Sequence, residues 1–460
     1  MGTEEIRTAK AQRAQREEGE EVIAYLRSPA AIRELCGCLF RLACEDRLKH
    51  FCCDLTRLGR VADYVIQVIR EEYPDLQIPF HSRWRHFEVG GFPRLTTLDG
   101  LLAGLTPVER AAAKFDLVII SVLLDAGAGE RWQYYEQETG LVFRRSEGLA
   151  VASFHLFCQG AFSSNPDGLR ADAQGLQGLT QEVLADGFQV NPENPLVGVA
   201  GRLELLQRLG RALLSCPQMF GHENPRPGHL VNYLLEQSSN GQLAAQTVLI
   251  AVLEGLGDIW PGRLEIAGVN LGDVWPISIP ISIPNRDLNP SPTSILHRRF
   301  ARGESPWRLA DQFTDRSSNG SFTVLVPFHK LSQWLTYSLL EPLQELGLEI
   351  TGLDALTGLP EYRNGGLFLD LGLLQAKHPG VLQQRHPVGS EVIVEWRALT
   401  VILLDHVAAK VREKLGMSTE ELPLVKVLQG GTWSAGRRLA TQLRAGGVPP
   451  IQIESDGTVF

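Results

Sequence analysis

The sequence predicts a mainly α-helical protein, and three observations carry that prediction. Apolar residues recur at three- and four-residue spacing through most of the chain. Proline and glycine break the pattern between periodic stretches, as at Pro74, Pro79 and Gly90-Gly91. Alternating, strand-like runs are few and short. At 460 residues the chain is too long for one ordinary core, so two packed lobes are expected.

In chain order, residues 1–22 form a charged tail whose stretch Glu4 to Glu21 reads as a charged helix or a frayed end. An N-terminal helical lobe with ligand-contacting loops is expected over 23–190. It opens with Ala30 to Ala43, apolar at helical spacing behind Pro29, a residue suited to the first helical position. Arg57 to Glu71 continues the pattern through Val61, Tyr64, Val65, Val68 and Ile69. Pro74, Pro79 and Gly90-Gly91 then break it. Leu101 to Leu124 is largely helical, although Val118-Ile119-Ile120-Ser121-Val122 also suits a buried strand. Gly148 to Phe157 closes this lobe's helical signal.

The second lobe, 191–460, contains the amphipathic helix Leu203 to Leu214, a helical pair within Leu230 to Leu256, and helices at Lys330 to Leu346 and Glu395 to Leu415. Between them, residues 258–321 change character. Pro276, Pro280, Pro284, Pro290 and Pro292 accompany the alternating Ile277-Ser278-Ile279 and Ile281-Ser282-Ile283. This reads as a loop-rich inserted arm lying over a pocket. The tail Pro450 to Phe460 alternates as a terminal strand or extended arm.

Composition narrows the function classes. Net charge is −9 and no basic stripe appears, which argues against a nucleic-acid polymer as partner. The longest apolar run, Leu117 to Leu124, is too short to span a bilayer. Seven cysteines, an odd number, fit reduced thiols in a cytoplasmic protein. Cys36-Gly-Cys38 and the adjacent Cys52-Cys53 lack the spacers of a zinc site, so neither a metal nor a cofactor is expected.

Five segments hold more polar and aromatic residues than packing alone requires. In Pro79 to Glu88, His81, Arg83, Trp84 and Arg85 suit a phosphate-bearing, stackable ligand, or else a surface loop of Arg–Glu pairs. Leu123 to Gly129 is glycine-rich without a nucleotide-binding register, and leaves Asp125 as a candidate carboxylate. In Pro327 to Tyr337, Lys330, Gln333, Trp334 and Tyr337 share one helical face. A lysine at a helix start opposes the helix dipole, which suits either a solvated surface or a neighbouring anion. Thr357 to Gly366 places Glu361 at the start of a helix, as a first-turn cap or a functional carboxylate, followed by Arg363. Glu395-Trp396-Arg397 suits a buried ion pair or a ligand clamp. No nucleophile elbow or paired zinc-ligand motif occurs.

Nearly the whole chain, from Pro29 to Phe460, resembles a fungal and bacterial family linked to ring-opening uracil catabolism. The resemblance lies in His81-Ser82-Arg83-Trp84-Arg85-His86-Phe87-Glu88, Leu124-Asp125-Ala126-Gly127-Ala128-Gly129 and Ser146-Glu147-Gly148-Leu149-Ala150. It extends to Leu428-Gln429-Gly430-Gly431-Thr432-Trp433 and Ser455-Asp456-Gly457-Thr458-Val459-Phe460. It implies a role in a pathway that passes through ribosylurea-type intermediates. From about Asn194 to Leu415 the chain also resembles the queuosine-nucleotide glycosylases, helical proteins related in fold to helix-hairpin-helix DNA glycosylases. That likeness lies in Pro195-Leu196-Val197, Phe328-His329-Lys330-Leu331-Ser332-Gln333, Glu361-Tyr362-Arg363 and Val394-Glu395-Trp396-Arg397. It implies that Lys330 and Glu361 form a catalytic pair, with Glu361 standing where that family has an aspartate.

The resemblances together imply a helix-hairpin-helix, glycosylase-like fold and an N-glycosidase. Its substrate would be a small nucleoside, nucleotide or ribosylurea, and other enzymes of the pathway would be its protein contacts. Asp125 and Arg83 or Arg85 would contact the ribose and the phosphate, and His81 is expected among the substrate-binding residues. Trp84, Trp132 or Trp334 would stack on a planar leaving group, and Arg363 and Arg397 complete the expected site. A ureide or amide hydrolase, and a non-catalytic nucleotide-binding partner of the ring-opening enzyme, are the competing readings.

Overall fold

A computed structural model of the chain describes residues 19–165, 168–260, 264–280 and 321–454. The expected charged tail, most of the inserted arm and the last six residues therefore lie largely outside the described residues. What is described is mainly helical. The strands within it pair only into two-stranded ribbons.

The helices form where the sequence pattern asks for them, and local chemistry fixes their ends. Pro29–Cys44 starts with Pro29 in its first turn, and the Ser28 hydroxyl accepts the Ala31 N–H at 3.1 Å. Leu58–Glu72 follows. The predicted long helix at Leu101 to Leu124 is two helices, Arg94–Leu101 and Pro107–Leu123. Thr106 and Glu109 form a capping box that starts the second one afresh. The β-branched run Val118 to Val122 is helical rather than a strand. It is buried on every side, so its apolar continuity reflects an enveloped helix. Leu230 to Leu256 is a helical pair, Leu230–Gln237 and Ala245–Leu256, parted by the short strand Gln242–Ala244. Of the arm, Val274–Pro280 is a strand antiparallel to Ser321–Pro327, with Ile277 and Ile279 buried and Ser278 exposed. In the tail, Gln452–Glu454 pairs in parallel with Arg385–Pro387.

The 25-residue helix Glu391–Leu415 is the spine. Pro29–Cys44, Leu58–Glu72 and Tyr362–Asp370 pack around it, and Tyr362–Asp370 also packs on Trp433–Leu443. A second layer sets Lys330–Glu345 against Pro107–Leu123 and Ala245–Leu256. Buried apolar residues from Val22 to Ile451 form one cluster that runs across the boundary near residue 190.

Glu395 and Arg397 on the spine do not pair with each other. The buried Glu395 carboxylate accepts the backbone N–H groups of Lys49 and His50 at 3.3 and 3.0 Å. Burial pushes its pKa up to about 7, against those hydrogen bonds. A carboxyl raised on folding contributes stability that is full below its ordinary pKa and lost as pH rises through about 7. Thermal melts from pH 5 to 8 should therefore show a fall in stability of up to about 3 kcal/mol that Glu395→Gln removes. An unchanged slope in the variant would show that Glu395 does not titrate in that range.

Candidate active site

Lys330 opens the helix Lys330–Glu345, and a buried network sets its position. The Lys330 backbone N–H donates to Asp273 Oδ2 at 3.0 Å, so a residue from the start of the arm caps this helix. The Asp273 carboxylate also accepts Nη1 and Nη2 of Arg397, at 2.8 and 2.7 Å, and the Trp275 indole N–H at 2.7 Å. Burial pushes the Asp273 carboxyl up, but Arg397 outweighs it and holds the pKa well below the usual carboxylate range. His329, between strand and helix, takes a left-handed φ of 46°, and its ring nitrogen lies 2.8 Å from the Leu26 carbonyl oxygen. Strain at that position persists only because the surroundings over-determine it.

The same helix carries the turn that delivers Glu361. Gln333 donates to the Thr357 hydroxyl at 2.7 Å and accepts the Thr357 N–H at 2.8 Å. The Tyr337 hydroxyl donates to the Thr357 carbonyl at 3.1 Å. Gly358 lies against Leu404, where a Cβ would stand 2.6 Å from Leu404 Cδ1. Glu361 then caps Tyr362–Asp370, accepting the N–H groups of Arg363 and Asn364 at 2.7 and 3.4 Å. Lys330 and Glu361 thus stand on two helix starts held in register by Gln333 and Tyr337.

Both side chains line one cleft of about 370 Å³. Burial lowers the pKa of the Lys330 ammonium and raises that of the Glu361 carboxyl, while each charge opposes the other's shift. Asp125 faces the same space from the end of Pro107–Leu123. It accepts the Ser146 hydroxyl and pairs with Arg83 Nη1 at 3.2 Å. The glycine turn behind Asp125 is fixed by buried Arg202, which donates to the carbonyls of Leu124, Ala126 and Gly127. Aromatic rings form the rest of the wall. His86 stands edge-on to Trp334 and to Trp433, with centroids 5.7 and 6.2 Å apart. His81 lies 6.2 Å from Trp433, and burial pushes its pKa down to about 4.

Of the residues expected from sequence, His81, Asp125, Lys330, Trp334, Glu361 and Arg363 line the cleft. Arg83 is fully buried and reaches the cleft only through its hold on Asp125. Arg85 pairs with Glu341 at 2.9 Å, and Arg397 serves Asp273. Trp84 and Trp132 do not stack on anything in the cleft. They are core residues whose indole N–H groups donate to the carbonyls of Ser338 and Phe188, at 2.7 and 2.9 Å. Arg145, Ser146, Tyr362, His86 and Trp433 line the cleft without having been singled out. Trp433 follows a π-helical turn, Leu428–Thr432, in which Gly430 and Gly431 pack against Ile78 and Val65. Such turns often mark functional positions, and the Gly-Gly-Thr-Trp run was the available signal.

Comparison with known proteins accords with the long shared runs. A family model described as "Protein of unknown function (DUF1688)" matches residues 25–460. "Protein urg3" of Schizosaccharomyces pombe is 38% identical over 449 residues, covering 96% of this chain and 99% of that protein. "Uracil catabolism protein 4" of Lachancea kluyveri is 37% identical over 469 residues, covering 95% and 99%. The chain therefore belongs to the DUF1688 family, together with these two fungal proteins.

Proposed function

We propose that this protein acts in uracil catabolism as a hydrolase of an N-glycosidic bond, releasing a ribose or ribose phosphate from a base, ureide or urea. One observation carries the reading: a lysine and a carboxylate at two adjoining helix starts face a cleft walled by imidazole and indole rings. The name of the Lachancea kluyveri relative supports the pathway. A helix-hairpin-helix, glycosylase-like fold belongs to the same reading; between the Lys330 helix and the helix that Glu361 caps lie the short strand Glu349–Thr351, the 3-10 turn Leu353–Ala355 and the turn Leu356 to Pro360.

Breaking the bond from C1′ to nitrogen leaves positive charge on the sugar. A carboxylate at that carbon stabilises the cation and orients the attacking water. Glu361 takes that role, and Asp125 is placed to hold the ribose hydroxyls. The Lys330 ammonium opposes the burial that raises the Glu361 pKa, and so favours the ionised carboxylate, and it donates toward the departing nitrogen or a phosphate oxygen. The indoles give a planar leaving group a surface to stack on.

The test is a product assay with purified protein and chelator, offering uridine, uridine monophosphate, ribosylurea and its 5′-phosphate. Sugar and nitrogenous product are detected separately. Sugar release from at least one substrate is expected. Nucleotide binding without release from any of them would instead make the protein a binding partner of the pathway, and release of ammonia without sugar would make it an amide hydrolase.

A further inference from the structure

Three buried polar atoms without hydrogen-bond partners cluster at one corner: Trp334 Nε1 and His86 Nδ1, on residues that line the cleft, and Arg83 Nη2 on a fully buried residue behind them. Such orphans are rare in native structures, and each calls for a reason. Trp84, Trp132 and Trp275 all have their indole N–H satisfied, at 2.7, 2.9 and 2.7 Å. Trp396 also has an unpartnered indole nitrogen, but it lies alone in the core against Gly365. The other three are together. The Arg83 guanidinium lies 5.5 Å from the Trp334 ring centroid, and His86 stands at 89° to that ring. Trp334 is 7% exposed and both it and His86 line the cleft.

The charge of the corner restricts what fits there. Arg83 is paired with Asp125, so the pair presents no net charge. His86 is held neutral, because burial and then Arg83 push its pKa well below the usual histidine value. An anion would find no uncompensated cation at this corner. A neutral planar group with a carbonyl oxygen and an adjacent N–H fits instead: the oxygen accepts from the indole N–H, and the imidazole nitrogen meets the ligand N–H.

We infer that the Trp334–His86 corner, backed by Arg83, is a specificity subsite for the leaving group, and that it reads an N–C(=O)–N unit such as uracil and N-substituted ureas carry. The inference rests on the glycosidase reading for the words "leaving group", but the subsite itself binds without turnover. Trp334 is then a specificity-determining residue, with the sugar held next to it by Asp125 and Glu361.

Calorimetric titration with uracil, N-ethylurea and ribose 5-phosphate tests it, using the full chain and the Trp334→Phe variant. Phenylalanine keeps an aromatic ring but removes the N–H donor and part of the indole's surface, so a probe that lacks a carbonyl is needed beside it. Saturable binding of uracil or N-ethylurea is expected, weakened about tenfold in the variant, with ribose 5-phosphate unaffected. Pyrimidin-4-one, which lacks one uracil carbonyl, gives the same comparison on the unaltered protein and should bind about tenfold more weakly than uracil. The inference is overturned if neither ureido probe binds, if Trp334→Phe and the carbonyl deletion leave affinity unchanged, or if the sugar phosphate weakens equally. Because no probe is turned over, failure here leaves the hydrolase reading to be decided by sugar release alone.

Discussion

Glu361→Gln is expected to slow sugar release by at least about 1,000-fold while leaving the protein folded. The two halves of that expectation have separate physical origins. Glutamine keeps an oxygen at the helix start, so the cap on the Arg363 and Asn364 N–H groups survives with a loss of at most about 1 kcal/mol. What disappears is the negative charge at the carbon that becomes cationic, and in a cleft walled by rings that charge is poorly replaced by water. Lys330 also loses the charge that most opposes its desolvation, so its pKa, already lowered by burial, falls further. The checks are initial rates of sugar release and a thermal melt of the same preparation. A folded variant that retains the parent rate would remove Glu361 from the chemistry. An unfolded one would call for Glu361→Asp, which keeps the charge and the cap.

The helices were legible because their apolar spacing and end chemistry agree. Pro29 marks a start that the structure places at that residue, whereas the Thr106–Glu109 capping box restarts the chain inside the stretch expected as one helix from Leu101 to Leu124. The Val118 to Val122 run was ambiguous because burial on all sides erases the periodicity that separates a helix from a strand. Site residues were readable where one residue's placement sufficed. Lys330, Trp334 and Glu361 follow from helix starts and spacing, and all three reach the cleft. The roles of Trp84 and Trp132 were not readable, since an indole looks the same in sequence whether its N–H meets a ligand or the Ser338 or Phe188 carbonyl. Asp273 was missed for a related reason. Its importance arises from contacts with Lys330 and Arg397, far away in the chain, and no local pattern encodes a contact between distant segments.

Asp273→Ala is expected to be the most destabilising of these substitutions, by about 3 to 5 kcal/mol in chemical denaturation. It removes the bidentate partner of an Arg397 whose side chain is 2% exposed, leaving a guanidinium in the core without its carboxylate. The Lys330 helix loses its cap at the same time, as does the Trp275 indole its acceptor. The double variant Asp273→Ala, Arg397→Met separates these effects. With both charges gone the desolvation penalty disappears, so much of the stability should return. Catalysis should not return with it, because the Lys330 N–H has lost the cap that fixes its position at the helix start, and a small misplacement of a catalytic group costs about 100-fold. A stable double variant with low activity would identify Asp273 as a positioning residue for Lys330. Recovery of stability and rate together would show that the ion pair serves the fold alone, and that Gln333 and Tyr337 suffice to set the site.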